Sequence, residues 1–429
     1  MLQQEKEKDY QQEEKLVRDI LQMVKVSGDK ALRELSKKYD KVELTDFLVG
    51  EDEVQAAYQR VDADFQLALK KASDFIRHFH SQQKPNSWMT TRVEGAVMGI
   101  IRRPLQKVGV YVPGGRAAYP STVLMTVIPA RLAGVEEIYI CTPPDSSGEV
   151  NPFTLVAAQE AGADAVYKLG GAQAIAALAF GTESIPAVDK IVGPGNIYVN
   201  LAKRMVFGQV GIDLPAGPSE VFLVADKKAD ARLVAWDLLA QAEHDPLARS
   251  VCLTDSYQLA QEIDAKINLF LAQQERKNII EESLAKNGGI VLLSSLEEAW
   301  PLINTAAPEH VGLHIEDPWP HLAKITNAGA IFLGEYTPQT AGDYGAGPNH
   351  VLPTNRAARF ASPLGIEDFF KSSSFLYYSP RAIFQEGEYF EIIAGVEGLY
   401  AHARALQIRR EKANEKRSSD CARDCGNQS

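Results

Sequence analysis

Apolar positions along the chain follow two successive patterns. In residues 14–39 and 52–79, apolar side chains recur near the spacing of an amphipathic helix, which predicts two long helices, the first of them interrupted by a cap at residues 27–29. From residue 93 onward, short apolar runs alternate regularly with helical segments. This alternation is typical of βαβ units, so it predicts a mainly parallel sheet with helices on both faces.

The alternation falls into two series, which predict two α/β lobes with a break near residues 215–219. In the first series, strands are predicted at residues 96–101, 108–112, 137–141, 165–169 and 190–192, and helices at 121–133, 151–161, 172–180 and 196–206. In the second, strands are predicted at 220–225, 249–254, 289–293, 311–315 and 329–333, and helices at 229–243, 257–270, 296–305 and 319–326. A final helix is predicted at about residues 389–409.

Length and composition indicate an ordinary globular protein with more than one domain. A chain of 429 residues exceeds what one hydrophobic core usually supports, and 45% of its residues are hydrophobic. The net charge of −11 disfavours nucleic acid and anionic membranes as partners. No apolar run has the length of a membrane span. Residues 1–14 are rich in Gln, Glu and Lys, unlike a signal or transit peptide, so a cytoplasmic location is expected.

The four cysteines are not expected to take part in catalysis. Cys141 and Cys252 end or lie within apolar runs typical of buried strands, where a thiol is inert. Cys421 and Cys425 belong to a polar tail that is predicted to be disordered. No second pair of ligands accompanies them to form a zinc motif, so no function is predicted for the tail.

Three glycine-containing turns each follow a predicted strand. They are Pro-Gly-Gly at residues 113–115, Gly-Gly-Ala-Gln at 170–173 and Gly-Pro-Gly-Asn at 193–196. Because the carboxyl ends of parallel strands meet at one edge of a sheet, these turns predict a ligand cleft there. The Gly-x-Gly-x-x-Gly fingerprint of dinucleotide-binding folds is missing from the sequence, and tight turns also need glycine for local reasons.

Residues with acid–base potential occur in the second series. The tripeptide Pro-Glu-His at residues 308–310 places a carboxylate beside an imidazole, which offers two proton acceptors of different basicity. A glycine-rich segment at residues 340–350 adds Asp343 and His350, as expected where backbone must approach a ligand closely. A polar turn with solvated histidines is the alternative interpretation.

A metal site is the second possibility that these residues raise. Gln241 and His244 are three positions apart near the end of a predicted helix, so they lie on one face. Together with Asp343, His310, His350 and His402 they could furnish nitrogen and oxygen ligands for zinc or a similar ion. On chemistry alone Glu243 is preferred to Gln241, because an amide oxygen is a poor zinc donor.

With these motifs in view, the chain resembles the histidinol dehydrogenases from about residue 26 to residue 402. The motifs that carry the resemblance lie at residues 110–115, 121–125, 170–177, 190–196, 213–220, 241–244, 308–310, 341–344 and 349–354. So many motifs in one order are far more specific than any single glycine pattern.

The resemblance implies zinc-dependent oxidation of L-histidinol to L-histidine by two NAD⁺, through bound L-histidinaldehyde, as the last step of histidine biosynthesis. His310 would take the hydroxyl proton, and Glu309 would activate the water that adds to the aldehyde. One Zn²⁺ per subunit would be held by Gln241, His244, Asp343 and His402, which replaces the preference for Glu243. Substrate contacts would come from Ser219, Gln241, His244, His310, Asp343, His350, Glu397 and His402, and NAD contacts from Tyr111, Gln173 and Asn196.

The resemblance also implies an α/β fold of two incomplete Rossmann-like lobes with parallel sheets, related to aldehyde dehydrogenases. Helical N-terminal and small C-terminal dimerisation segments would complete an intertwined homodimer in which Glu397 and His402 reach the neighbouring site. The expected boundaries are an N-terminal helical segment at 1–25, lobe 1 with the metal and catalytic residues at 26–109 and 220–362, lobe 2 with the NAD-binding turns at 110–219, a dimer-swapped segment at 363–410 and a disordered tail at 411–429.

Three other functions fit parts of the pattern. A sister dehydrogenase for another small polar alcohol, such as a sulfonated diol, would keep zinc and the Glu309–His310 pair. Ser219, His350 and Glu397 stand as in the histidinol enzymes, however, and favour histidinol. A zinc hydrolase that uses Glu309 to activate water would have no nicotinamide dependence. A non-catalytic binding protein would not need an acid–base pair beside a metal.

Overall fold

The computed structural model describes residues 10–114, 118–214 and 217–426. Gly115 of the first glycine turn and Pro215 and Ala216 of the predicted lobe break lie outside the described residues, as do residues 1–9 and 427–429. The helices are α1 (Gln11–Tyr39), α2 (Glu51–Arg60), α3 (Ala63–Ser81), α4 (Pro120–Ala133), α5 (Pro152–Ala161), α6 (Gly171–Phe180), α7 (Ile197–Val206), α8 (Ala231–Ala242), α9 (Tyr257–Leu271), α10 (Lys277–Asn287), α11 (Ala299–Ala306), α12 (Gln339–Tyr344), α13 (Pro380–Val396) and α14 (Tyr400–Gly426).

The strands lie in three sheets. They are β1 (Trp88–Val93), β2 (Ala96–Pro104), β3 (Lys107–Tyr111), β4 (Glu137–Thr142), β5 (Ala165–Lys168), β6 (Lys190–Val192), β7 (Gly211–Ile212), β8 (Glu220–Ala225), β9 (Arg249–Thr254), β10 (Gly288–Leu292), β11 (His310–His314), β12 (Ala330–Leu333) and β13 (Phe370–Tyr378). By its contacts the chain divides into two compact units, one of residues 1–84 and 105–369 and the other of residues 85–104 and 370–429.

The first sheet of the larger unit has the strand order β5-β4-β3-β6-β7, and all its strands are parallel. The chain begins in the middle at β3, moves outward to β5, and then crosses back to β6 and β7. The order therefore reverses between β3 and β6, the point at which doubly wound folds bind ligands outside the carboxyl ends of their strands. This sheet confirms the predicted α/β class for residues 107–212.

The second sheet of the larger unit has the order β10-β9-β8-β11-β12 and is also parallel. Its strands β8, β9 and β11 are buried over almost their whole length, as expected for strands covered on both faces. Glu220 begins β8 and His310 begins β11, and the two residues lie side by side because His310 is in register with Val221. The polar residues around position 309 therefore lie at the amino edge of this sheet.

The N-terminal helices pack on the lobe of the first sheet. Helix α1 contacts α6 and α7, where its apolar face joins the alanine-rich surface of α6 in one core. Helices α2 and α3 contact α4 and α5. This differs from the expected boundary that grouped residues 26–109 with the lobe of the second sheet. An amphipathic helix packs against the nearest large apolar surface, and sequence spacing does not reveal which lobe offers it.

One predicted helix differs in detail, and the interruption predicted in another is confirmed. The single helix expected at residues 52–79 is two helices, because Asp62 ends the first run and its side chain accepts a hydrogen bond from the Phe65 amide to cap α3. Helix α1 is broken at Gly28, whose φ of 51° lies in the left-handed region.

The smaller unit combines a three-stranded antiparallel sheet, in the order β1-β2-β13, with helices α13 and α14, which pack on each other. Residues 85–104 thus pair with the C-terminal segment and not with the lobe of the second sheet. Residues 411–426, for which a disordered tail was predicted, continue α14 to Gly426. Arg410 of α14 donates hydrogen bonds to Glu388 and Glu391 of α13. Within the described ranges, no helix combines the length and apolarity needed to cross a bilayer.

Candidate active site

Glu309 lies at the start of β11, next to the start of β8, and is buried. Its Oε2 accepts hydrogen bonds from the Ser219 hydroxyl and, at 3.0 Å, from the Glu220 amide. Both donors precede or begin β8, so the parallel pairing of β8 with β11 brings them to the carboxylate. The site thus holds one oxygen of Glu309 in a fixed direction.

His310 is buried next to Glu309 and has a defined tautomer. Its Nδ1 lies 3.1 Å from the carbonyl oxygen of Glu220, and because a carbonyl only accepts, Nδ1 must carry the proton. Its Nε2 has no hydrogen-bond partner among the described residues and lies 3.8 Å from Oδ1 of Asp343. A buried ring nitrogen without a partner is positioned to exchange a proton with a bound ligand.

Charge around His310 controls its protonation. Burial alone would lower the pKa of His310, but the carboxylates of Glu309 and Asp343 outweigh it and raise the pKa to about 9. Burial would likewise raise the pKa of Asp343, yet the neighbouring imidazoles, above all His310, lower it. A cation bound by Asp343 would offset the effect of this carboxylate on His310 and favour the neutral imidazole.

His350 connects this site to the other lobe. Its Nδ1 donates to the Asp343 carbonyl at 2.8 Å, and its Nε2 lies 3.4 Å from the hydroxyl of Thr122 in the first turn of α4. Burial lowers the pKa of His350, so the ring is neutral and its Nε2 can accept from Thr122.

Gln241, His244 and Asp343 are the predicted metal ligands of the larger unit. Gln241 lies in the last turn of α8 with its side-chain Nε2 buried and without a partner among the described residues. His244 follows the helix end and is exposed, and its charge contributes to the lowered pKa of Asp343. Rotation of the Gln241 amide by half a turn presents its oxygen in place of its nitrogen at this buried end.

These three donors fit a divalent metal such as zinc. An imidazole nitrogen and a carboxylate oxygen are common zinc ligands, and the Gln241 amide is buried without a partner among the described residues, whereas Glu243 is partly exposed. No cluster of three or more His, Cys, Asp or Glu residues arranged for a metal occurs in the part of the chain that the structure describes. Three protein donors would leave a tetrahedral zinc ion one position for a further ligand.

Glu397 and His402 belong to the smaller unit. Glu397 caps the C-terminus of α13, His402 lies in the first turn of α14, and both are exposed. Within the larger unit, contacts bring together Ser219, Glu309, His310, Asp343 and His350, and Gln241 and His244 lie at the end of α8 in the same unit.

Asp237 and His314 hold the elements of the site in register and were missed by sequence reasoning. His314 Nε2 lies 2.9 Å from Oδ2 of Asp237, which ties β11 to α8. The side chain of Gln339 donates to the Asp237 carbonyl at 2.8 Å, which ties α12 to the same turn of α8. Asp237 precedes Gln241, and His314 follows His310, by four residues in each case. This repeated spacing was the available signal.

The three predicted NAD contacts line one cavity of about 450 Å³ at the carboxyl edge of the first sheet. The Tyr111 hydroxyl accepts a hydrogen bond from the Gly171 amide at 3.1 Å, which joins the end of β3 to the start of α6. Asn196 caps α7 by accepting from the amides of Tyr198 and Val199. Gln173 lies on the same wall. Turns that follow three different strands thus form one cleft.

The two described thiols have no catalytic character. Cys141 and Cys252 are fully buried in β4 and β9, and burial raises the pKa of both, that of Cys252 to about 12. A thiol in such surroundings is not ionised at neutral pH and is not a nucleophile. The structural role expected for these two residues fits their burial.

A family model described as histidinol dehydrogenase matches residues 3–410. The chain belongs to the histidinol dehydrogenase family. A histidinol dehydrogenase from Clostridium acetobutylicum is 50% identical over 395 residues and aligns over 92% of each chain. One from Bacillus anthracis is 51% identical over 393 residues, or 92% of this chain and 91% of its own length. The resemblance inferred from the motifs is thereby confirmed.

The fold also agrees with that of a solved histidinol dehydrogenase. The crystal structure of the enzyme from Elizabethkingia anophelis superposes with a TM-score of 0.91 at 41% identity, covering 96% of this chain and 94% of that one. As a histidinol dehydrogenase, the chain is an oxidoreductase of histidine biosynthesis, which confirms the predicted enzyme class.

Proposed function

We propose that the chain oxidises L-histidinol to L-histidine in two successive NAD⁺-dependent steps at one zinc site, with L-histidinaldehyde bound between them. The observation that carries this proposal is the pair of adjacent, differently held proton acceptors, Glu309 and His310, beside the donors Gln241, His244 and Asp343. Each of the two oxidations of one carbon needs a proton acceptor, and two adjacent groups of different basicity can serve one step each.

Gln241, His244 and Asp343 would hold zinc from the larger unit. The bound metal would orient the substrate through its imidazole and amino nitrogens. Tyr111, Gln173 and Asn196 would contact NAD⁺, which accepts the hydride in each step. In this arrangement the chain supplies the binding, orientation and proton transfer, and the cofactor supplies the redox chemistry.

In the first oxidation, Nε2 of His310 would take the hydroxyl proton of histidinol while a hydride leaves the same carbon. The hydrogen bond from Nδ1 to the Glu220 carbonyl supports this role, because it fixes the tautomer whose Nε2 carries the lone pair. His350, which is neutral, would add a substrate contact without a second positive charge in the site.

In the second oxidation, Glu309 would take a proton from the water that adds to the aldehyde carbonyl. The hydrate then loses its second hydride, and the balance is L-histidinol + 2 NAD⁺ + H₂O → L-histidine + 2 NADH + 3 H⁺. The bonds from Ser219 and the Glu220 amide hold Oε2, which leaves the carboxylate oriented for this step.

His402 and Glu397 would reach the site from the neighbouring subunit of a homodimer. Support comes from the three donors of the larger unit, which leave room for a further zinc ligand, and from the exposure of both residues in the smaller unit. The cytoplasmic location expected from the N-terminal composition stays a prediction.

The test uses purified protein with limiting L-histidinol and excess NAD⁺, followed at 340 nm. About two NADH per histidinol, lost after chelation and restored by zinc, is the expected result. Formation of one NADH, or none, from zinc-loaded protein would contradict the proposal. Sulfonated diols at the same concentration serve as competing substrates.

Metal analysis tests the ligand set separately. After equilibration with zinc and gel filtration, His244→Ala and Gln241→Leu should retain far less than the one zinc per chain expected for the parent. Glu243→Gln is the matched control and should retain it. Loss of zinc in Glu243→Gln alone would assign the ligand to Glu243 instead.

A further inference from the structure

Asp40 lines the cavity that contains Tyr111, Gln173 and Asn196, although it comes from a distant part of the chain. It is the C-cap residue of α1, and its own amide donates to the Ser36 carbonyl. Since α1 packs on α6 and α7, its C-terminal end reaches the carboxyl edge of the first sheet. Among the described residues that line this cavity, Asp40 is the one with a charged side chain.

The usual source of a carboxylate in such a cleft is missing here. In doubly wound folds, an acidic residue that follows the second strand accepts hydrogen bonds from the ribose of the dinucleotide. The second strand of this sheet is β4, which ends at Thr142, and the cavity wall that follows it consists of Pro143 and Pro144. Neither proline side chain can bond a ribose hydroxyl.

The carboxylate of Asp40 has unfilled positions for accepting hydrogen bonds. Its hydrogen-bond partner among the described side chains is Gln173, whose Nε2 lies 3.5 Å from Oδ2. An ionised carboxylate has about four acceptor positions, so one long bond leaves most of them unfilled. Burial, opposed only weakly by Gln173, raises the pKa of Asp40 to about 6. Burial, and after it the negative charge of Asp40, raises the pKa of Tyr111 to about 12.

We propose that Asp40 selects NAD⁺ over NADP⁺ by accepting hydrogen bonds from the adenosine ribose hydroxyls and repelling a 2′-phosphate. This inference deepens the proposed function and rests on its use of a nicotinamide dinucleotide. Ribose hydroxyls are neutral donors that fill the acceptor positions of a carboxylate. A phosphate group carries negative charge and no donor when ionised, and like charges in a partly buried site repel strongly.

The experiment measures binding without catalysis. ADP-ribose and 2′-phospho-ADP-ribose are titrated by calorimetry, at pH 8, into the parent, Asp40→Ser and Asp40→Asn proteins without histidinol. The parent should bind ADP-ribose more tightly. Asp40→Ser should reduce this preference by at least about tenfold, which is the scale of one lost charged hydrogen bond. Asp40→Asn keeps the side-chain shape and should reduce it in the same direction.

Asp19→Asn is the matched control, because Asp19 is an exposed residue of the same helix that does not line the cavity. Thermal unfolding of each variant identifies any that fails to fold, and Asp40→Asn then serves in place of Asp40→Ser. An unchanged ratio of the two affinities in a folded Asp40 variant would overturn the inference. A parent that binds ADP-ribose but makes no NADH from histidinol would instead count against the proposed function alone.

Discussion

Lys203 and Asp213 form an ion pair that is completely buried beneath the turn at Gly193. The Lys203 ammonium donates to the Gly193 carbonyl at 2.9 Å, and Oδ2 of Asp213 accepts from the Gly193 amide at 2.6 Å. The ion pair therefore bonds both the amide and the carbonyl of Gly193. Gly193 itself has a φ of 110°, and a Cβ there would lie 2.1 Å from the Tyr111 carbonyl oxygen. The pair fixes the turn that leads to Asn196.

Removing one member of this pair should destabilise the protein strongly. Lys203→Met leaves the Asp213 carboxylate buried without its cation, and the free energy of unfolding should fall by about 3–5 kcal/mol. The double variant Lys203→Met/Asp213→Leu should recover part of this loss, because no uncompensated charge remains. Urea unfolding measures both values. Lys30→Met, at an exposed position of α1, is the control and should change the stability little. A double variant less stable than the single one would contradict this account.

Glu309→Gln should separate the two oxidations. The amide oxygen can still accept from Ser219 and the Glu220 amide, so the local structure is kept while the proton acceptor is lost. Oxidation of L-histidinaldehyde should slow by about 10²–10⁴-fold, and oxidation of L-histidinol to the aldehyde by much less. Single-turnover formation of NADH from each substrate measures the two rates. Equal loss with both substrates would remove the assigned role of Glu309.

Glu220 should make stability depend on pH. Burial, opposed by Arg249 and assisted by Glu309, raises its pKa from 4.5 to about 7. Between these pH values the folded chain holds a proton that the unfolded chain has released, so the free energy of unfolding falls as the pH rises. Glu220→Gln should remove this decline, which amounts to at most about 3 kcal/mol. Urea unfolding at pH 5 and pH 8 measures the change in the free energy of unfolding. The same change in the parent and in Glu220→Gln would contradict the raised pKa of Glu220.

A mixing experiment tests the shared site. His402→Ala and His310→Ala are each expected to be nearly inactive alone. If His402 serves the neighbouring subunit, each mixed dimer contains one intact site. A statistical mixture should then recover about a quarter of the parent activity. Two preparations of His402→Ala mixed together are the control and should recover none. A mixture that stays inactive after subunit exchange has been verified would assign His402 to its own subunit.

The sequence predicted those features that depend on neighbouring residues. Apolar runs such as the one at β8 revealed buried parallel strands, and the glycine turns that follow strands revealed the cleft of Gln173 and Asn196. The lobe on which α1 packs could not be predicted, because an amphipathic face shows that a helix is covered without showing what covers it. Because Asp40 is at the end of α1, it was not predicted as a site residue for the same reason. The helical character of residues 411–426 was missed because a high density of charge suits both a helix and a disordered tail.

The site at the amino edge of the second sheet followed from the resemblance and could not be derived from the pattern alone. The general rule places ligands at carboxyl edges, as in the first sheet. Glu309 and His310 instead precede or begin their strand, and the end of α8 returns Gln241 to the same edge. Their proximity depends on the parallel pairing of β8 with β11, which joins residues about ninety positions apart.

One turn of α8 contacts both β11 and α12, so it sets the relative positions of these three elements. Asp237 contacts His314 of β11 through its side chain and Gln339 of α12 through its carbonyl, and Gln241 follows it by one turn. A substitution of Asp237 would therefore affect more than its immediate surroundings. Because Gln339 bonds the main-chain carbonyl of Asp237, a substitution there would remove only the bond to His314, so β11 with His310 would be released from α8 while α12 stays attached.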